Sequence, residues 1–107
     1  MKKSEIKIQV SLDENNLPKA IEWDATDKEA EGIESTKSVS LNIWDNLNHS
    51  TLRIDLWTEE MSVVEMKRFY IDVIGGMAQT ILNATGDEYM SEEMKDLCDR
   101  LVKHVNE

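Results

Sequence analysis

A single change of hydrophobic period divides this 107-residue chain and constrains its fold more than any other feature. Through Trp57 the apolar residues recur at every second position; from Ser62 they recur about every 3.6 residues, so a strand-forming half precedes a helical half. Ile6, Ile8, Val10 and Leu12 alternate with Lys7, Gln9 and Ser11, which predicts a half-buried strand over 5–12. Asp13-Glu14-Asn15-Asn16-Leu17-Pro18 is turn chemistry, and a second strand returns over 19–24 with Ile21 and Trp23 facing the core. Val39, Leu41 and Ile43 alternate over 38–45, as do Leu52, Ile54 and Leu56 over 51–57. The Asn- and Ser-rich segment 46–50 joins these two as an antiparallel hairpin.

In the helical half, Ser62 and Glu65 have capping-box spacing and open a helix over 62–84. Its stripe runs through Met66, Phe69, Tyr70, Val73, Ile74 and Met77, and Gly86 is available for a left-handed cap. Ser91 is read as the cap of a second helix over 91–105, with Met94, Leu97, Cys98, Leu101, Val102 and Val105 on its apolar side. Strands segregated from helices predict an α+β fold: a four-stranded antiparallel sheet with both helices packed on one face, in a single domain spanning 1–107. The acidic stretch 24–37 is read as a surface connection, functional or disordered, or holding a short helical turn around Lys28 to Glu31. Gly75-Gly76 costs the first helix roughly 1 kcal/mol per glycine, a cost that close approach of the second helix or a strand explains better than a kink.

A net charge of −10 repels phosphate backbones and anionic headgroups, so neither nucleic acid nor membrane insertion is expected. No apolar run nears the roughly 20 residues of a membrane span, and Lys2-Lys3 is followed by an alternating, charged segment in place of a signal-peptide apolar stretch. One cysteine excludes an internal disulfide and fits a reducing compartment. The expected location is cytoplasmic.

No catalytic constellation is recognisable. His49 lies in a hairpin turn, His104 near the C-terminus, and neither has a nucleophile or carboxylate at a telling spacing. Cys98, on an apolar stripe, is read as a small core residue. Asp24-Ala25-Thr26-Asp27-Lys28-Glu29 lacks the glycine of a calcium loop and places a lysine at a ligand position, so no metal or other cofactor is expected. The tryptophans say more. Trp23 is in phase with Ile21, whereas Trp44 and Trp57 are out of phase with Leu41/Ile43 and Ile54/Leu56 and belong on the other face of the sheet. An indole there either covers the sheet from its rim or marks a protein contact, and Trp44 and Trp57 are the candidate contact residues.

Leu52-Arg53-Ile54-Asp55-Leu56-Trp57-Thr58, then Met61, Glu65-Met66-Lys67, Phe69, Tyr70 and Ala84-Thr85-Gly86, with Ile21-Glu22-Trp23 upstream, carry a resemblance. The whole chain resembles the GldC family of gliding-motility-associated proteins of Bacteroidetes. The resemblance implies a small accessory component of gliding machinery, with no catalytic residue or cofactor to carry over. The expected function is therefore non-enzymatic protein binding, to a partner or to another copy in a homo-oligomer. Two alternatives stand beside it: a client-binding module, because four strands followed by two helices is also the order in the chaperone SecB, and a small-ligand or metal-binding domain using Glu22, Asp24, Asp45 and Asp55.

Overall fold

In the computed structural model, which describes residues 1–107, the dyad alternation produces strands close to the expected bounds. β1 (Ile6–Leu12) and β2 (Pro18–Ala25) form an antiparallel hairpin in register Ile8↔Trp23 and Val10↔Ile21. Directly opposed residues share a face, so Ile6, Ile8, Val10, Ile21 and Trp23 lie on one side and Lys7, Gln9, Glu22 and Asp24 on the other. Ile21 is 1% exposed, the most buried large side chain of the strand half. At the turn, Asp13 Oδ1 accepts from the N–H groups of Asn15 (2.8 Å) and Leu17 (3.0 Å), and Asn16 takes the left-handed φ of 63° that asparagine tolerates. The register shifts between Ser11 and Leu12, opposite Pro18, which has no N–H to give to the ladder.

The single four-stranded sheet expected from the sequence is not what forms. Five strands make two sheets: β3 (Glu34–Thr36) adds to β2 in a three-stranded sheet, order β1-β2-β3, and β4 (Ser38–Asp45) pairs with β5 (Ser50–Trp57) in a two-stranded one. The chain bends at Lys37 between β3 and β4, where the Thr36 hydroxyl lies 3.2 Å from the Ser38 carbonyl oxygen to which it donates. One run of extended chain thereby serves two sheets.

β3 lies inside the acidic stretch, and Glu34 and Thr36 oppose Trp23 and Ile21, so no apolar alternation announces it. Residues 26–33 form turns and bends, with no helical turn at Lys28 to Glu31. Lys28 organises this segment. Its ammonium sits 5.3 Å from the Trp23 ring centroid, within 3.6 Å of Asp24 and 3.9 Å of Glu34, donates to the Gly32 carbonyl, and its side chain is only 8% exposed.

Residues Met1–Met61 and Ser62–Glu107 form two compact units, and the second is a helix pair. α1 (Val63–Thr85) begins with the capping box: the Glu65 N–H donates to Ser62 Oγ and the Ser62 N–H to Glu65 Oε1, both at 3.1 Å. Gly86, at φ 73°, ends it by donating to the Leu82 carbonyl. α2 (Glu88–Asn106) starts three residues before the expected position, because Asp87 and not Ser91 caps it, accepting from the Met90 N–H at 2.9 Å. Ser91 has another task. It is 1% exposed and its hydroxyl donates to the Ala78 carbonyl at 2.9 Å, linking α2 to α1 where Ala78 is wholly buried.

α1 runs unbroken through Gly75-Gly76. A Cβ on Gly75 would meet Cys98 Sγ at 3.9 Å, an ordinary contact, and one on Gly76 would meet nothing within 4 Å. Gly75 therefore faces the second helix, as the packing reading requires, but neither glycine is demanded by close approach. The Cys98 thiol lies between the helices and donates to the Ile71 carbonyl at 3.5 Å.

Gly76→Ala should accordingly stabilise the helix pair by about 0.5–1 kcal/mol, and Ser91→Ala should destabilise it by about 1 kcal/mol. Urea unfolding followed by circular dichroism would show the two midpoints moving in opposite directions.

Candidate protein-contact face

The β4–β5 hairpin owes its two-sidedness to register. Val39↔Leu56, Leu41↔Ile54 and Ile43↔Leu52 put the aliphatic set on one face; Ser38↔Trp57, Ser40↔Asp55, Asn42↔Arg53 and Trp44↔Thr51 occupy the other. Trp44 and Trp57 thus lie opposite Leu41 and Ile54, as their phase predicts, at the two ends of a polar face, and are 59% and 54% exposed. Trp23 differs from both. It is half-buried beneath the Lys28 ammonium.

Between the two indoles the face is electrically balanced. Arg53 meets Asp55 at 3.1 Å, two residues along the same strand and therefore on the same side, and Ser40 Oγ donates to the same carboxylate at 2.8 Å from the neighbouring strand. Ser38 is buried, its hydroxyl donating to the Leu56 carbonyl at 3.1 Å. At the far end Trp44 makes an edge contact with His49, ring centroids 6.3 Å apart, and His49 holds φ 52° in the connecting turn. At the near end Trp57 borders a groove of about 260 Å³ with Leu17, Pro18, Asp55, Leu56 and Glu59.

The carboxylates weighed for a ligand site do not converge. Asp24 is engaged by Lys28, Asp55 by Arg53 and Ser40, and Glu22 opposes Gln9 on the polar face of the three-stranded sheet. Asp45 builds the hairpin turn. Its carboxylate accepts from the Asn48 side-chain amide (2.9 Å) and from the backbone N–H groups of Leu47 (2.9 Å) and Asn48 (3.3 Å), bonds that hold its pKa below the ordinary 3.8. His104 borders an apolar groove between the helices with Met66, Tyr70 and Leu101. No group of three or more His, Cys, Asp or Glu side chains is placed to hold a metal ion.

The groove beside Trp57 escaped the sequence because its walls come from residues about forty positions apart. A leucine set in a polar turn, Leu17, was the one available sign.

Two measurements check this geometry. In a Trp44→Phe/Trp57→Phe variant the remaining Trp23 emission should be markedly less open to acrylamide quenching than emission from the native chain. The Asp45 carboxyl, with its depressed folded pKa, contributes stability above its unfolded value that is lost as pH falls through the lower folded one. The Asn48 side-chain amide resonances should therefore titrate with a midpoint below 3.8, and a midpoint at or above it contradicts the turn described.

Compared with known proteins, the chain matches the sequence model of one family, described as gliding motility-associated protein GldC-like, over residues 18–107. No curated protein and no solved structure matches it.

Proposed function

Because the chain belongs to the GldC-like family of gliding-motility-associated proteins, we propose that it serves gliding as a non-enzymatic accessory component that binds a protein partner through the tryptophan face of the β4–β5 hairpin. The observation that carries this reading is the pair of half-exposed indoles, Trp44 and Trp57, on the same side of one hairpin. Tryptophan is among the residues that dominate binding energy at interfaces, and an indole, with only two side-chain torsions, is ordered at low entropic cost. The compensated Arg53–Asp55 pair between them lets a partner approach an otherwise acidic chain without like-charge repulsion at the centre of the face.

An accessory role needs no convergent acid, base and nucleophile, and the scattered partners of Asp24, Asp45 and Asp55 favour it over a ligand-binding carboxylate site. No helix is long and apolar enough to cross a membrane. We propose a cytoplasmic location, a reading that the single cysteine supports because one thiol fits a reducing compartment.

Trp44→Ala and Trp57→Ala test the proposal. Both rings are partly buried, so each substitution should cost about 1–2 kcal/mol of stability while circular dichroism stays native. Each should sharply reduce recovery of the partner when the chain is affinity-purified from its own cells, with composition read by mass spectrometry. Unchanged recovery and sedimentation for both variants would overturn the assignment of this face.

A further inference from the structure

Resting on the contact-face reading, we infer that the groove beside Trp57 is its anchor pocket, and that the occupant is one aliphatic or aromatic side chain flanked by lysine or arginine in an extended segment of the partner. Size is the first argument. At about 260 Å³ the groove has room for one large side chain, and interface hot spots are commonly single anchoring side chains seated in a pocket.

Its wall is the second argument. Leu17, Pro18, Leu56 and Trp57 present apolar surface, and the two remaining residues, Asp55 and Glu59, are both acidic. Arg53 and Ser40 already engage Asp55, so Glu59 supplies the local negative charge that meets a cation beside the anchoring residue. The net charge of −10 acts in the same sense at longer range, favouring encounter with basic segments and disfavouring acidic ones. An apolar floor with an acidic flank complements neither a free fatty acid nor a phosphate ester.

The test uses the full chain, isotopically labelled, titrated with two pentapeptides: one with leucine between two lysines, the other with leucine between two glutamates. The lysine peptide should bind with a Kd on the order of 1 mM. It should shift the amides of Leu17, Leu56 and Glu59 and the Trp57 indole N–H along one saturating curve. The glutamate peptide should bind at least tenfold more weakly. Glu59→Lys, a surface change, should weaken the lysine peptide about fivefold and narrow the difference between the two.

Absence of shifts at these four positions, or equal response to both peptides, overturns the inference. So do shifts that arise from protein concentration alone, which would make a second copy the occupant. The two proposals fail separately. Loss of partner recovery in the tryptophan variants combined with an unresponsive groove removes the pocket and keeps the face; undiminished recovery in both tryptophan variants removes the face whatever the peptides do.

Discussion

Three opposed aliphatic pairs, Val39–Leu56, Leu41–Ile54 and Ile43–Leu52, hold β4 and β5 in a single register, and the function proposed for the chain depends on that register. A slip of one residue in either strand would carry its whole side-chain set to the opposite face. Trp57 would then join the aliphatic side, Arg53 would part from Asn42, and the Ser40–Asp55 bond across the strands would be lost. The turn secures the same register from the other end. Three hydrogen bonds on the Asp45 carboxylate and the left-handed His49 fix a four-residue connection that permits only one alignment of Asp45 with Ser50. Opposite it, the Ser38 hydroxyl on the Leu56 carbonyl and the Thr58 N–H on the Lys37 carbonyl close the ladder.

Closure at Lys37 also connects the hairpin to the rest of the strand half. The backbone leaves one sheet at Thr36 and enters the other at Ser38, so the pairing of Thr36 with Ile21 and that of Ser38 with Trp57 lie on either side of one bend. The segment before it is held by a cation among anions. Lys28, nearly enclosed, engages Asp24, Glu34, the Gly32 carbonyl and the Trp23 ring, and so draws the acidic stretch over the three-stranded sheet. In an acidic chain such a lysine relieves repulsion that the neighbouring carboxylates would otherwise exert on one another.

What could be read from the sequence follows the range of the forces involved. The period of two along Ile6 to Leu12, the Ser62–Glu65 box and Gly86 are settled by near neighbours, and strands and helices appear where those signals place them. The phase of Trp44 and Trp57 is equally local, since alternation within one strand decides the face. β3 could not be read, because Glu34-Ser35-Thr36 is extended only through its bonds to a strand more than ten residues earlier. Ser91 misled for a related reason: serine before an acidic residue resembles a helix start, but a buried carbonyl at Ala78 took its hydroxyl and left Asp87 to cap. The Trp57 groove required Leu17 and Glu59 to meet, which is a property of the fold and not of any window of sequence.

Charge and aromatic area act at different distances in such a surface, and the difference bears on how the proposed contact face could be both selective and releasable. The field of a −10 chain extends about a Debye length, near 8 Å at physiological ionic strength, and would govern how often the proposed basic segment arrives. At the centre of the face Arg53 and Asp55 neutralise one another, so the charge left to act in the bound state is that of Glu59 at the groove. In the proposed complex most of the residence would come from the indoles and the apolar wall of Leu17, Leu56 and Trp57, with Glu59 adding its contact to the flanking cation. On that reading, raising ionic strength should act mainly by slowing association, and a tryptophan substitution mainly by speeding dissociation. On the proposed reading, such a surface would select a partner by charge and retain it by shape.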